Sequence, residues 1–96
     1  MSLSADEPDP LVSSRVRAGV LAWLSDKGAG DFTELATALE LANNTLSGHL
    51  QRLESAGYVE LKRGFLGRKP RTRIVLTASG QAAWITHLDR LGPERR

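Results

Sequence analysis

Apolar residues recur at helical spacing in four stretches of this chain and alternate with polar residues in two more. The clearest helical stretch is 43–59. Leu46, Leu50, Leu53 and Ala56 follow one another at three- and four-residue steps, which predicts one buried stripe. Asn44, Ser47, Gly48, Gln51 and Ser55 fall on the opposite side. That side is polar but almost uncharged, whereas a helix facing only water usually interleaves Lys and Glu. Short amide and hydroxyl side chains suit close approach to another polar surface. The major groove of DNA is one such surface, because these groups bond base edges there. The plain alternative is a core helix with an ordinary polar back, and the helix alone leaves the two readings even.

Upstream, Val12, Val16, Val20, Trp23 and Leu24 predict a first helix near 10–26, with Asp9 as its cap and Pro10 in the first helical position. Lys27-Gly28-Ala29-Gly30 ends it. Residues 31–33 predict a single bridging strand. Leu35, Ala36 and Leu39 form the apolar face of a second helix, 33–40, capped by Asp31 or Thr33. Residues 41–43 lead into the central helix, with Asn43 as its expected cap. Two short helices joined by three or four residues make a helix-turn-helix unit. After Gly57, residues 58–62 place Val59 and Leu61 on one face, and residues 71–76 place Thr72, Ile74 and Leu76 on one face. Both predict strands half-buried against the helices. The turn-rich residues 64–70 between them predict a β-hairpin with a long tip. Thr77 caps a last helix with Trp84, Leu88 and Leu91 along one face, stopped by Gly92-Pro93. The expected fold class is mainly α with a small β-hairpin: a three-helix core, the hairpin, and a C-terminal helix.

Length and composition narrow the function. Ninety-six residues make one domain with a single core, too short for a separate ligand domain. Residues 1–8, acidic and proline-containing, are expected to be a flexible tail; the domain is expected over 9–91, with a short tail at 92–96. The chain has no cysteine, which removes disulfides, thiol catalysis and thiolate metal sites together and fits a reducing cytoplasm. No apolar run is long enough to span a membrane. His49 and His87 lie on separate predicted helices without metal-site spacing. No glycine-rich phosphate loop stands between a strand and a helix, since Gly64-x-x-Gly67 is a turn inside the hairpin. No metal or cofactor is therefore expected, and an enzyme is the least expected class.

The net charge of +2 says little about partners, but its distribution says more. Lys62, Arg63, Arg68, Lys69, Arg71 and Arg73 crowd the hairpin with no acid among them. Cations on such a loop neutralise phosphates or enter a minor groove. A helix-turn-helix, a polar recognition face and a basic hairpin are three independent features, and together they point to double-stranded DNA. Phe65 is read as packing the hairpin tip in preference to entering DNA.

These residues carry a family resemblance. Ser47-x-His49-Leu50-x-x-Leu53-Glu54-x-Ala56-Gly57-Tyr58-Val59 resembles the recognition helix and following strand of winged-helix transcriptional regulators. Gly64-Phe65-x-Gly67-Arg68-x-Pro70-Arg71-Thr72 and Leu76-Thr77-x-x-Gly80 resemble the wing and final-helix start of a small branch related to the MarR and ArsR groups. The resemblance covers residues 9–91. It implies a winged helix-turn-helix fold and sequence-specific DNA binding, usually by a homodimer, in the cytoplasm of a bacterium or archaeon. Three departures stand out. Ala42 occupies a position where such proteins often carry a polar cap. The cysteine pairs of ArsR metal sensors are missing. The flanking helices are shorter than those with which MarR proteins build an effector pocket, so an effector stays unassigned.

The expected recognition-helix contacts are Asn43, Asn44, Thr45, Ser47, Gly48, Gln51 and Arg52. The expected wing contacts are Arg63, Arg68, Lys69, Arg71 and Arg73. Leu11, Trp84, Leu88 and Leu91 are expected at a dimer interface. His49 is read as a structural histidine bonding a neighbouring backbone or side chain, with a phosphate contact as the alternative, and Glu54 as pairing with a base or turning from the groove. Gly48 costs roughly 0.5–1 kcal/mol relative to Ala inside a helix, so either DNA or a packed helix is expected to approach it closely. A protein-binding module, marked by an exposed apolar patch, and a small-molecule sensor, marked by a cavity between the first and last helices, are the competing functions.

Overall fold

The computed structural model describes residues 10–91, apart from the side chains of Pro10 and Ser13. The tail 1–8, the Asp9 cap, the Gly92-Pro93 stop and the tail 92–96 lie outside the described residues. The order is α1 (Pro10–Ser13), α2 (Arg15–Lys27), β1 (Ala29–Asp31), α3 (Phe32–Leu39), α4 (Asn43–Ser55), β2 (Val59–Leu66), β3 (Lys69–Leu76) and α5 (Ala78–Leu91). The strands form one antiparallel sheet in the order β1-β3-β2. This is a helix-turn-helix followed by a β-hairpin wing and a closing helix, the expected winged helix.

One core joins all of it. Val12, Val20, Leu21, Leu24, Leu35, Leu46, Leu50, Leu53, Val59 and Ile74 are almost wholly buried, and among the described residues no polar side chain is buried with them. Burying one such side chain contributes about 1.5–3 kcal/mol. The stripe Leu46-Leu50-Leu53 therefore holds α4 firmly and leaves its other side open.

The expected first helix is two helices. Ser14 is extended, with φ −59° and ψ 132°, and its carbonyl accepts the Ala18 N–H at 2.8 Å, so α2 starts anew at Arg15. Serine is a poorer helix former than alanine or leucine, and two in succession make a weak point in the sequence. Arg17 Nε donates to the Leu11 carbonyl at 2.8 Å, satisfying a helix-end acceptor beside the break. The bend seats Val12 in the core.

The bridging strand is displaced from 31–33 to Ala29–Asp31, and Phe32 already belongs to α3. Asp31 has the extended backbone that serves both as last strand residue and as N-cap, and Glu34 Oε1 accepts its N–H at 3.1 Å. Glu40, left-handed at φ 55°, ends α3, with Leu41 N–H bonding the Ala36 carbonyl at 3.0 Å. Ala42, not Asn43, is the N-cap of α4, and Asn43 is its first helical residue. Burial of Leu46, Leu50 and Leu53 sets the phase of the helix, and a side-chain cap is forgone. Ala56 is exposed and does not join the buried stripe. Tyr58 N–H to Leu53 O and Gly57 N–H to Glu54 O, both 2.9 Å, close the helix before Ala56 reaches the core.

The long tip expected over 64–70 is a pair of strands with a two-residue turn. Pairing runs unbroken from Val59↔Leu76 to Leu66↔Lys69. Gly67, at φ +65°, stands first in the Gly67-Arg68 turn, where a two-residue hairpin needs positive φ. Pro70 reads as a turn residue but lies in β3. β1 pairs with β3 only at residues 73–75, so Pro70 has an open edge beside it, where a strand tolerates a missing N–H.

Thr77 caps α5 as expected: its Oγ1 accepts the Gly80 N–H at 2.9 Å and donates to the Gly57 carbonyl at 2.6 Å. Gly80 is buried directly over the Tyr58 carbonyl, and a Cβ there would collide with that backbone oxygen. Gly80→Ala should therefore force α5 off the base of the wing, lowering stability by about 1–3 kcal/mol. Urea unfolding would register this as a lower midpoint with an unchanged slope, whereas Ser79→Ala at the exposed neighbour should leave the midpoint in place.

Candidate nucleic-acid interface

The open side of α4 is built by the burial of its other side. With Leu46, Leu50 and Leu53 inward, Asn43, Asn44, Thr45, Gly48, Gln51 and Arg52 are all exposed. Ser47 is half-buried at the edge of this face, so it offers less of itself than the pattern suggested. A Cβ on Gly48 would meet nothing within 4 Å. Gly48 therefore does not serve a helix–helix contact among the described residues; its bare backbone faces outward. Glu54 is exposed and forms no ion pair among the described residues.

His49 is a structural histidine, as expected. Its Nδ1 accepts a bond from Arg17 Nη1 at 3.0 Å, and Arg17 in turn holds the Leu11 carbonyl. This ties α4 to the α1–α2 break. Burial first, then the positive charges of Arg17 and Arg52, hold His49 below its ordinary pKa of 6.5. A neutral ring is what the contact requires, since a protonated Nδ1 could accept nothing from a guanidinium.

The structure divides the basic hairpin into two sets. Arg71 Nε and Arg73 Nη1 both donate to Asp31 Oδ1, at 3.0 and 3.3 Å. Arg71 is half-buried, and these two arginines are occupied in fastening the wing to β1 and the start of α3. Charge spacing alone does not reveal this, because Asp31 lies forty residues from Arg71. Arg63, Arg68 and Lys69 are exposed and form no ion pair among the described residues. Lys62 only approaches Glu60, at 4.0 Å on the surface, a contact worth little. Unneutralised charge thus collects toward the tip. Phe65, read from sequence as packing the tip, is 72% exposed and packs little there.

Of the expected dimer residues, Trp84, Leu88 and Leu91 lie on α5 and Leu11 on α1. α5 packs against α1 and α2. Leu11, Trp84 and Leu91 are half-buried, and Leu88 is exposed, as is Ile85, which the periodicity had not marked. Trp84 stacks on His87 with ring centroids 5.5 Å apart.

A helix-turn-helix with an open polar second helix and a basic wing defines the class: a DNA-binding winged helix. Residues 16–93 match the winged helix DNA-binding domain family, and the chain belongs to it. An uncharacterised protein of Methanocaldococcus jannaschii is 31% identical over 78 residues, 81% of this chain and 85% of that one. A transcriptional regulator homologue from Pyrococcus horikoshii OT3 superposes with a TM-score of 0.82 at 25% identity, over 86% of this chain and 82% of that one. Reduced AbfR bound to DNA superposes at 0.69 with 28% identity, over 84% of this chain and 59% of that one. A MarR family regulator from Neisseria meningitidis, 23% identical at 0.65 over 81% of this chain and 54% of that one, shares the fold. The family is one of winged-helix DNA-binding domains, and the chain is read as one of these and not as an enzyme.

The burial of His49, and after it the charges of Arg17 and Arg52, make stability depend on pH. The unfolded chain binds the His49 proton near the ordinary value, the folded chain only at lower pH. Between those values the unfolded state holds more protons, so stability falls as pH drops through 6.5. The urea midpoint should be lower at about pH 5.5 than at about pH 7.5. His49→Gln keeps an acceptor for Arg17 but does not titrate, and its midpoint should fall less over the same interval.

Proposed function

We propose that this chain is a sequence-specific transcriptional regulator of a bacterial or archaeal cytoplasm that binds double-stranded DNA as a homodimer. The observation that carries the reading is the open face of α4, where Asn44, Thr45, Gly48, Gln51 and Arg52 are exposed behind a dry leucine stripe. In helix-turn-helix proteins the early residues of the second helix reach base edges. Asn43, Asn44, Thr45 and Gln51 are the base-reading candidates. Ser47 takes a flanking place, Gly48 allows close approach, and Arg52 meets a phosphate. On the wing, Arg63, Arg68 and Lys69 lie along the backbone or the minor groove, while Arg71 and Arg73 hold the wing in position through Asp31. DNA appears with a structural neighbour of this chain, the reduced form of AbfR.

Gln51 separates readout from attraction. A glutamine amide bonds adenine through two contacts at once, and alanine does not. Gln51→Ala should cost about 1–3 kcal/mol on the preferred site and relax preference at one base pair. Binding to random DNA should barely change, because no charge is removed. Binding-site selection with parent and variant, followed by titration on the selected and a random duplex, tests this. Equal losses on both duplexes would take Gln51 out of the groove, and no enriched sequence at all would end the DNA reading.

The dimer rests on the apolar residues of α5 beside α1. Ile85 and Leu88 are 47% and 45% exposed in the single chain, with Trp84 and Leu91 on the same helix and Leu11 on the α1 it packs against. Together they suit a self-complementary contact between two copies. Ile85→Asp with Leu88→Asp would place unpaired charge in that contact. Sedimentation should show the parent as a dimer and the variant as a monomer of unchanged helical content. A parent that is monomeric at micromolar concentration would remove the dimer from the proposal. With a dimer, the selected site should be an inverted repeat with half-sites roughly 34–36 Å apart.

A further inference from the structure

At the tip of the wing the usual burial preference is inverted. Phe65 and Leu66, 72% and 63% exposed, are the two most exposed large apolar side chains among the described residues. They are neighbours on β2, so they point to opposite faces of the ribbon and make the tip apolar on both sides. Neither returns to the core. The outermost pair with a core residue is Leu61↔Ile74, and four residues of strand carry Phe65 about 14 Å beyond it. The ladder is complete through Phe65↔Pro70 and Leu66↔Lys69, and a two-residue turn closes it. These side chains are thus held out on a paired ribbon.

Their surroundings identify what they meet. Arg63, Arg68 and Lys69 flank them, exposed and without ion pairs among the described residues. No acidic residue occurs from Leu61 to Leu76. An apolar point ringed by uncompensated cations is complementary to a surface with anionic rims and an apolar interior. Duplex DNA has that form, with phosphate rows on either side of stacked bases. The tip extends well past the core. A minor groove is about 6 Å wide and 7.5 Å deep. A two-stranded ribbon is wider than that slot, but single side chains projecting from its tip enter it while the backbone stays at the rim.

We propose that Phe65, with Leu66 beside it, is an apolar wedge that enters the minor groove and unstacks one base step. The proposal rests on the reading of this chain as a DNA-binding regulator and adds a second source of specificity to it. Apolar wedges open and kink the duplex, and pyrimidine–purine steps yield most easily. The wing then selects a deformable step in each half-site without reading a base edge, while the bonds of α4 select the sequence beside it.

The test uses the full chain and the selected duplex, carrying 2-aminopurine at successive positions outside the α4 contacts, with a second duplex labelled at its ends for energy transfer. The parent should raise 2-aminopurine fluorescence at one step per half-site and shorten the end-to-end distance. Phe65→Ala, which removes an exposed side chain and should melt like the parent, should lose both signals. It should bind about tenfold more weakly, with an unchanged salt dependence. Arg68→Ala should keep the fluorescence signal and lower the slope of log K against log salt by about 0.9. Tight binding by the parent with no fluorescence change at any scanned step would overturn the wedge and leave the DNA reading intact. So would Phe65→Ala retaining the signal. A parent that binds no duplex defeats both readings together. Loss of dimers by Phe65→Ala in sedimentation, or Phe65-dependent binding to phosphatidylserine vesicles in place of the fluorescence signal, would reassign the tip to a protein or membrane contact and overturn the wedge.

Discussion

Thr77 holds four elements at one point. Its hydroxyl donates to the Gly57 carbonyl at the end of α4 and accepts the Gly80 N–H in the first turn of α5. Its own N–H bonds the Tyr58 carbonyl at 3.1 Å, where the chain enters β2, and it follows directly on β3. The recognition helix, both strands of the wing and the closing helix are therefore fastened at the same corner. Gly80 is part of the same constraint, because only a residue without Cβ lets α5 cross so close to the Tyr58 backbone. This corner fixes the distance between α4 and the wing, which the proposed binding to one duplex requires.

Charge is arranged around that frame by position more than by amount. The net charge is small, but Asp31 engages Arg71 and Arg73 at the base of the hairpin. Positive charge is thereby spent near the body of the domain, and Arg63, Arg68 and Lys69 retain theirs near the tip. Asp31 has a second use, since it also starts α3. One carboxylate thus orients the wing against the first helix of the helix-turn-helix. On the other side, the neutral His49 ring receives Arg17, so α4 is tied to the α1–α2 break through a guanidinium.

Much of this was legible in the sequence. The period of Leu46, Leu50 and Leu53 marks the recognition helix and its buried side, the alternation of Val59, Leu61, Ile74 and Leu76 marks the hairpin, and Thr77 with Gly80 marks the last helix. These signals are local and repeat at the period of the element, so they survive without knowledge of neighbours. Departures arose where a local preference met a tertiary demand. Asn43 is the better cap by its own chemistry, but the burial of Leu46 placed the cap at Ala42. Gly64 and Pro70 are turn formers, but the register of the ladder kept them in strands. Two serines ended a helix whose apolar period continued through them.

What the sequence by itself determined is the set of elements, their order, and the polar face and basic hairpin that suggested nucleic acid. Each depends on side-chain periodicity and residue type within a span of a few turns. What only the tertiary structure decided is which of those groups are available. Arg71 and Arg73 were equal to Arg63, Arg68 and Lys69 as letters, until Asp31, forty residues distant, took them. Phe65 was an apolar residue with an expected place in the packing, until the ladder carried it, with Leu66, out to the exposed tip. Availability depends on contacts between residues far apart in the chain, and the order of residues along the chain does not contain those distances explicitly.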